Sequence, residues 1–202
     1  MGLAKGDKRE MNEKRKPLLA VKNLSVSFQE ERGFKKRRIQ PIRDLSLEIC
    51  AGEITALAGA SGSGKSLLAQ AVMGILPEQA AAEGTIEFQG QELTKEYLRA
   101  LRGREIALIP QGVNGLDPLM RAGNQIRKGR KDLASFKRME ELLDRYGLPG
   151  ETADKYPFEL SGGMARRVLT AGAMMEGPRL VIADEPTPGL DAEAALQVMG
   201  HF

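Results

Sequence analysis

Apolar and polar residues alternate along residues 18–28 and again along 42–49, where the order is Ile-Arg-Asp-Leu-Ser-Leu-Glu-Ile. A period of two predicts strands with one buried face. Three mainly apolar runs follow at 54–58, 106–109 and 180–183, each short and read as a buried strand. Thr85, Ile86, Glu87 and Phe88 make one more short strand after Gly84, and Gln89 and Gly90 turn it. Helical spacing appears at 67–73 and at 92–102, through Leu93, Tyr97, Leu98 and Leu101. It returns at 135–146 through Phe136, Met139, Leu142, Leu143 and Tyr146, stopped by Gly147. From 112 to 177 the strand signal fades, and a helix restarts after Ser161, Gly162 and Gly163. The expected fold class is α/β: a mostly parallel core sheet, an antiparallel β part at the N-terminal end, and an inserted helical subdomain at about 112–177. One domain is expected over 17–202, after a charged, aperiodic tail over 1–16 that reads as disordered.

The run 54–58 leads directly into Gly59, Ala60, Ser61, Gly62, Ser63, Gly64, Lys65 and Ser66, and the helix at 67–73 follows. Strand, glycine loop and helix in that order make a P-loop of the pattern G-x-x-x-x-G-K-S. Glycines at 59, 62 and 64 let the backbone approach a ligand and aim successive N–H groups at phosphate oxygens. The helix N-terminus adds its own N–H groups and dipole. Lys65 is placed to reach the β- and γ-phosphates, and the Ser66 hydroxyl to ligate Mg²⁺.

Composition narrows the partners. The chain of 202 residues is long enough for one substantial core. It has no Trp and few other aromatics, which argues against a base-stacking surface and a nucleic-acid partner. Net charge is +3, with basic residues gathered at 5–16 and 32–38. Such runs read as a solvated tail and a hairpin tip, with attraction to an anionic surface as the alternative. The N-terminal segment lacks an apolar signal core and no eighteen apolar residues occur together, so a chain neither secreted nor membrane-spanning is expected. Cys50, the single cysteine, reads as a buried small hydrophobe at a strand end.

The run 180–183 ends in Asp184 and Glu185. After a P-loop this is the Walker B arrangement, in which Asp184 holds the Mg²⁺ shell and Glu185 orients or deprotonates the attacking water. With Leu160, Ser161, Gly162, Gly163 and Met164 added, the chain resembles the nucleotide-binding subunit of an ATP-binding-cassette (ABC) transporter. Met164 stands where that family's signature usually has Gln. The resemblance runs from about residue 18 to the end and includes P-loop, Q-loop, signature, Walker B and D-loop in family order. It implies ATP and Mg²⁺ as cofactors, with Gln111 as the Q-loop glutamine, a Mg²⁺ ligand that relays nucleotide state towards a membrane partner. It also implies a head-to-tail dimer with a second ATPase subunit, in which Ser161, Gly162 and Gly163 of one subunit cover the P-loop of the other. For the adenine, Phe28 is the first candidate by position and Phe34 the second, a core role being open for either. Pro188, Gly189, Leu190 and Asp191 resemble the D-loop, with Pro188 in place of the usual small or hydroxyl residue, and Asp191 also fits as a cap for a helix over 192–199.

Within the family, residues 65–77, the stretch 111–126 with Asp117, Pro118, Leu119 and Met120, and the stretch 156–164 look like the oligopeptide, dipeptide and nickel importer branch. That implies an ATPase at the cytoplasmic face of the membrane, paired with permease subunits and, through them, a substrate-binding protein that selects peptide, nickel or a metal chelate. Two features depart from the pattern. His201, the single histidine, does not match the family's switch histidine, and no strand pattern follows Asp191, so the last strands of the sheet are expected to be missing. A fragment that binds nucleotide without hydrolysis is therefore one alternative. A soluble cassette outside transport is the other, disfavoured by the lack of heptads and of a second P-loop.

Overall fold

The computed structural model describes residues 16–32, 35–60 and 62–184. The chain divides into two units, Met1–Lys95 and Glu96–Phe202.

In the first unit, β1 (Leu19–Arg32) and β2 (Lys35–Ile49) pair antiparallel from Leu19 opposite Ile49 out to Arg32 opposite Lys35. Both strands outrun their expected ends, so the basic run belongs to the hairpin arms rather than to a loop between them. Continuing the ladder satisfies backbone groups that a loop would leave to water. The other edge of β1 takes β3 (Ala80–Phe88), and β4 (Gln91–Glu92) closes the sheet in the order β2-β1-β3-β4. Gln89 and Gly90, at φ 54° and 79°, form the turn between the last two. Val26 and Phe88 are fully enclosed and Leu24 nearly so. Each contributes about 1.5–3 kcal/mol through the apolar surface it removes from water. At Gly84 the backbone has φ 107°, and a Cβ there would lie 2.6 Å from the Asn23 carbonyl oxygen. Glycine is required at this register shift in β1–β3 pairing.

The stretch 54–58 differs from expectation. It forms no strand, and Ile54 and Leu57 are 67% and 48% exposed. An apolar run supplies side chains for a sheet but not the neighbouring ladder that makes a strand, and among the described residues no strand pairs with it. Cys50, expected to be buried, is half-buried beside the turn at 51–52, and its amide donates to the Glu53 carboxylate. Helix α1 (Lys65–Met73) then buries Leu68, Val72 and Met73 and ends at Gly74, in the left-handed region.

In the second unit, after α2 (Lys95–Leu101), β5 (Ile106–Ile109) and β6 (Leu180–Ala183) pair in parallel, from Ile106 opposite Leu180 to Ile109 opposite Ala183. Their bounds are those read from the sequence. The long crossover between them carries α3 (Ala122–Ile126), α4 (Leu133–Arg145) and α5 (Gly162–Ala173), with short 3-10 turns before α3 and between α4 and α5. Ile126, Met139, Leu142, Leu143, Val168 and Ala171 form the centre of one apolar core. No helix of the described residues is long and apolar enough to cross a membrane.

Helix α4 begins on Asp132, whose carboxylate accepts from the Ser135 amide at 2.8 Å. That bond holds the Asp132 carboxyl below the usual range. A depressed folded-state value gives stability that is present above the unfolded value and lost as pH falls through the folded one. Asp132→Ala is therefore expected to melt at a lower temperature than the parent at pH 7, with the gap closing in acid. A gap that stays constant down to acid pH, in paired thermal melts, would count against the carboxylate cap.

Candidate functional site

The glycine loop lies wholly in the first unit. Gly62 and Gly64 take φ 78° and 96°, in the left-handed region. Ser63 donates its amide to the Ala60 carbonyl at 3.1 Å, which folds the loop back on itself ahead of α1. Gly64 is the N-cap of α1 and makes no side-chain cap bond to the N–H groups of the first turn. A Cβ at Gly64 would meet Ile42 of β2 at 3.2 Å, so the hairpin also sets where the loop ends. The Lys65 ammonium donates to the carbonyls of Gly59 and Ala60 at 2.7 and 3.0 Å. The loop thus brings together a cation, bare amides and a helix dipole. Ser66 stands half-buried in the first turn. Ser61 lies outside the described residues.

Three of the predicted groups come from the second unit. The Asp184 amide donates to the Ile109 carbonyl at 2.9 Å, continuing the parallel ladder one residue past β6. Gln111 follows β5 after Pro110. Register therefore brings Gln111 and Asp184 to the same end of the strand pair, with Asp184 half-buried and Gln111 exposed. Both offer oxygen, the donor that a hard cation such as Mg²⁺ takes. Ser161 caps α5, its hydroxyl accepting from the Met164 amide at 3.2 Å. Gly162 and Gly163 are exposed, with open space where side chains would be. The start of α5 is thus an accessible helix N-terminus with a neutral cap.

Phe28 is half-buried on β1, opposite Ile39 on β2 and Ala80 on β3. Glu185, Phe34, Asp191 and His201 lie outside the described residues, as do the D-loop and the helix predicted over 192–199. One residue that the pattern did not single out is Arg166, whose Nη2 donates to the Gln111 carbonyl at 2.6 Å. A surface arginine on a helix carries no sequence mark of a backbone partner 55 positions away. Another is Gln125, whose amide nitrogen donates to the carbonyls of Asp117 and Met120 and so shapes the loop after Gln111.

The family model described as ABC transporter matches residues 42–188. The oligopeptide transport ATP-binding protein OppD of Bacillus subtilis (strain 168) is 37% identical over 197 residues, covering 90% of this chain and 54% of that protein. The dipeptide transport ATP-binding protein DppD of the same organism is 34% identical over 199 residues, covering 92% and 58%. Among solved structures, a dimeric ATP-binding cassette in a post-hydrolysis state bound to ADP and Pi matches with a TM-score of 0.75 and 27% identity, over 91% of this chain and 80% of that one. The fold is accordingly that of the ABC ATPases, a P-loop NTPase architecture. The chain belongs to the ABC transporter family. It spans a little over half the length of the curated relatives named here.

Proposed function

We propose that this chain binds MgATP and hydrolyses it as an ATPase subunit of a membrane importer for peptides. The observation that carries the reading is the loop 59–66, where left-handed glycines, an uncapped helix start and a single ammonium converge in a chain of this family. The amides of the loop and of the first turn of α1 hold the phosphates, and Lys65 leaves the Gly59 and Ala60 carbonyls to meet them. Ser66, Gln111 and Asp184 are the oxygen ligands that fit Mg²⁺, which when bound offsets the charge of the phosphate oxygens. Glu185 accepts a proton from water in line with the terminal phosphate. Phe28 lies against the adenine.

Partner and cargo follow from the same family membership. Ser161, Gly162 and Gly163 cover the loop of a second ATPase subunit in a head-to-tail dimer, because a neutral, accessible helix start takes a phosphate without adding negative charge. Permease subunits hold the pair at the cytoplasmic face of the membrane. The OppD and DppD relatives carry oligopeptide and dipeptide transport in their names, which supports peptide as cargo. A nickel or metal-chelate cargo rests on the motif resemblance alone. The domain reading also stands as a proposal: one ATPase domain over 17–202 with its helical part at about 112–177.

The test is calorimetric titration of the purified chain with MgATP, followed by phosphate release at steady state. Saturable binding with turnover is the expected result. No binding at millimolar MgATP would overturn the reading, and binding without turnover would leave a nucleotide-binding fragment.

A further inference from the structure

Helix α5 carries two adjacent arginines that hold opposite neighbours. Arg167 donates to the carbonyl of Gly147 at 2.9 Å, just past the end of α4, and so anchors α5 inside the helical core. Arg166 turns the other way, to the Gln111 carbonyl at 2.6 Å, a short charge-assisted bond. The chain after Gln111 also runs along α5: a Cβ on Gly115 would meet the Leu169 side chain at 3.6 Å. Gln111 itself is exposed and outside regular structure. Arg166 is therefore a side-chain tether on a segment whose backbone has no ladder at that residue. From Ser161 to Arg166 is five residues, about 7.5 Å along the helix axis. The tether thus joins the Gln111 backbone to the same helix that begins at Ser161.

We propose that Arg166 is a positioning residue for MgATP, acting through Gln111. By holding the Gln111 carbonyl, it fixes the direction in which the Gln111 side chain leaves the end of β5, and it makes that end and the Ser161 helix start respond as one body. Removing the tether takes one restraint from the Gln111 backbone, and the order it supplied must then be paid for when Gln111 engages the ion, an entropy cost that appears as lost affinity. The cost falls only on the part of nucleotide binding that passes through Mg²⁺. This inference rests on the MgATP reading above.

The experiment is calorimetric ATP binding to the full chain, once with Mg²⁺ and once with EDTA, for the parent, Arg166→Ala, Arg166→Lys, Gln111→Ala and the double variant Arg166→Ala with Gln111→Ala. Thermal melts serve as the folding control. Arg166→Ala is expected to lose about fivefold in affinity with Mg²⁺, the size of one charged hydrogen bond partly screened by water, and nothing with EDTA. Arg166→Lys, which keeps a donor, recovers most of the loss. In the Gln111→Ala background, Arg166→Ala has no further effect, because the carbonyl remains but the side chain it positions is gone. Equal losses with and without Mg²⁺, additive losses in the double variant, or no loss would each overturn the proposal. Should the alanine variant fail to fold, Arg166→Gln, a shorter uncharged donor, carries the same comparison. If the parent shows no Mg²⁺-dependent binding, the ATPase reading falls and takes this inference with it. If the parent binds MgATP and Arg166→Ala matches it, this inference alone falls.

Discussion

Glu185→Gln is expected to leave MgATP affinity close to that of the parent and to lower turnover by roughly 10²–10⁴-fold, the range over which a positioned general base contributes. The Asp184 amide continues the β5–β6 ladder one residue past Ala183, and Glu185 is the next residue in the sequence. In the proposed reading Asp184 is a ligand for the ion, and Glu185, one residue on in the sequence, is the base for water. Replacing its carboxylate by an amide keeps the size and one acceptor oxygen but removes the charged proton acceptor. Binding is measured by calorimetry and turnover by phosphate release. Undiminished phosphate release in the variant would sink the base assignment.

The second large effect is on binding itself. Lys65→Ala is expected to weaken MgATP binding on the order of 10- to 100-fold, the value of charged hydrogen bonds lost from a phosphate site. Lys65 donates to two loop carbonyls, those of Gly59 and Ala60. In the proposed reading the ammonium trades those carbonyls for phosphate oxygens, and the alanine variant has nothing to trade. Lys65→Arg keeps the charge, but its planar fork does not fit a point-charge position, and it should recover little. Affinity unchanged in Lys65→Ala would count against the whole phosphate-loop reading.

The parts legible in the sequence were those decided locally. β5 and β6 were found to the residue because each is a four-residue apolar run closed by a breaker, Pro110 after one and the acidic pair Asp184-Glu185 after the other. The loop 59–66 and the Ser161 cap were legible because glycines and a hydroxyl at fixed spacing before a helix have few other uses. What the pattern could not supply was partnership at a distance. Helix α3 carries Gly123 and Asn124 within five residues and has no helical signal of its own. It is held by Gln125 bonding the loop before it, and its Gly123 is packed so closely that a Cβ would meet Ala153 at 2.9 Å. The stretch 54–58 failed in the opposite sense, with apolar side chains present and no ladder beside it. The Arg166 tether belongs to the same class, since its acceptor is a backbone atom that every residue possesses.

The three longer helices begin on three different caps. Asp132 before α4 and Ser161 before α5 have nearly the same backbone, at φ −75°, ψ 152° and φ −64°, ψ 158°. Gly64 before α1 has no side chain at all. A carboxylate fills its helix start with a full negative charge, so α4 repels a visiting anion, whereas a hydroxyl or a bare glycine leaves the dipole uncancelled. Among the described residues these three helix starts thus divide into one closed and two open to anions through the chemistry of the capping residue. A substitution at one of these caps would redraw which ends of the molecule phosphate can visit while leaving the backbone where it is.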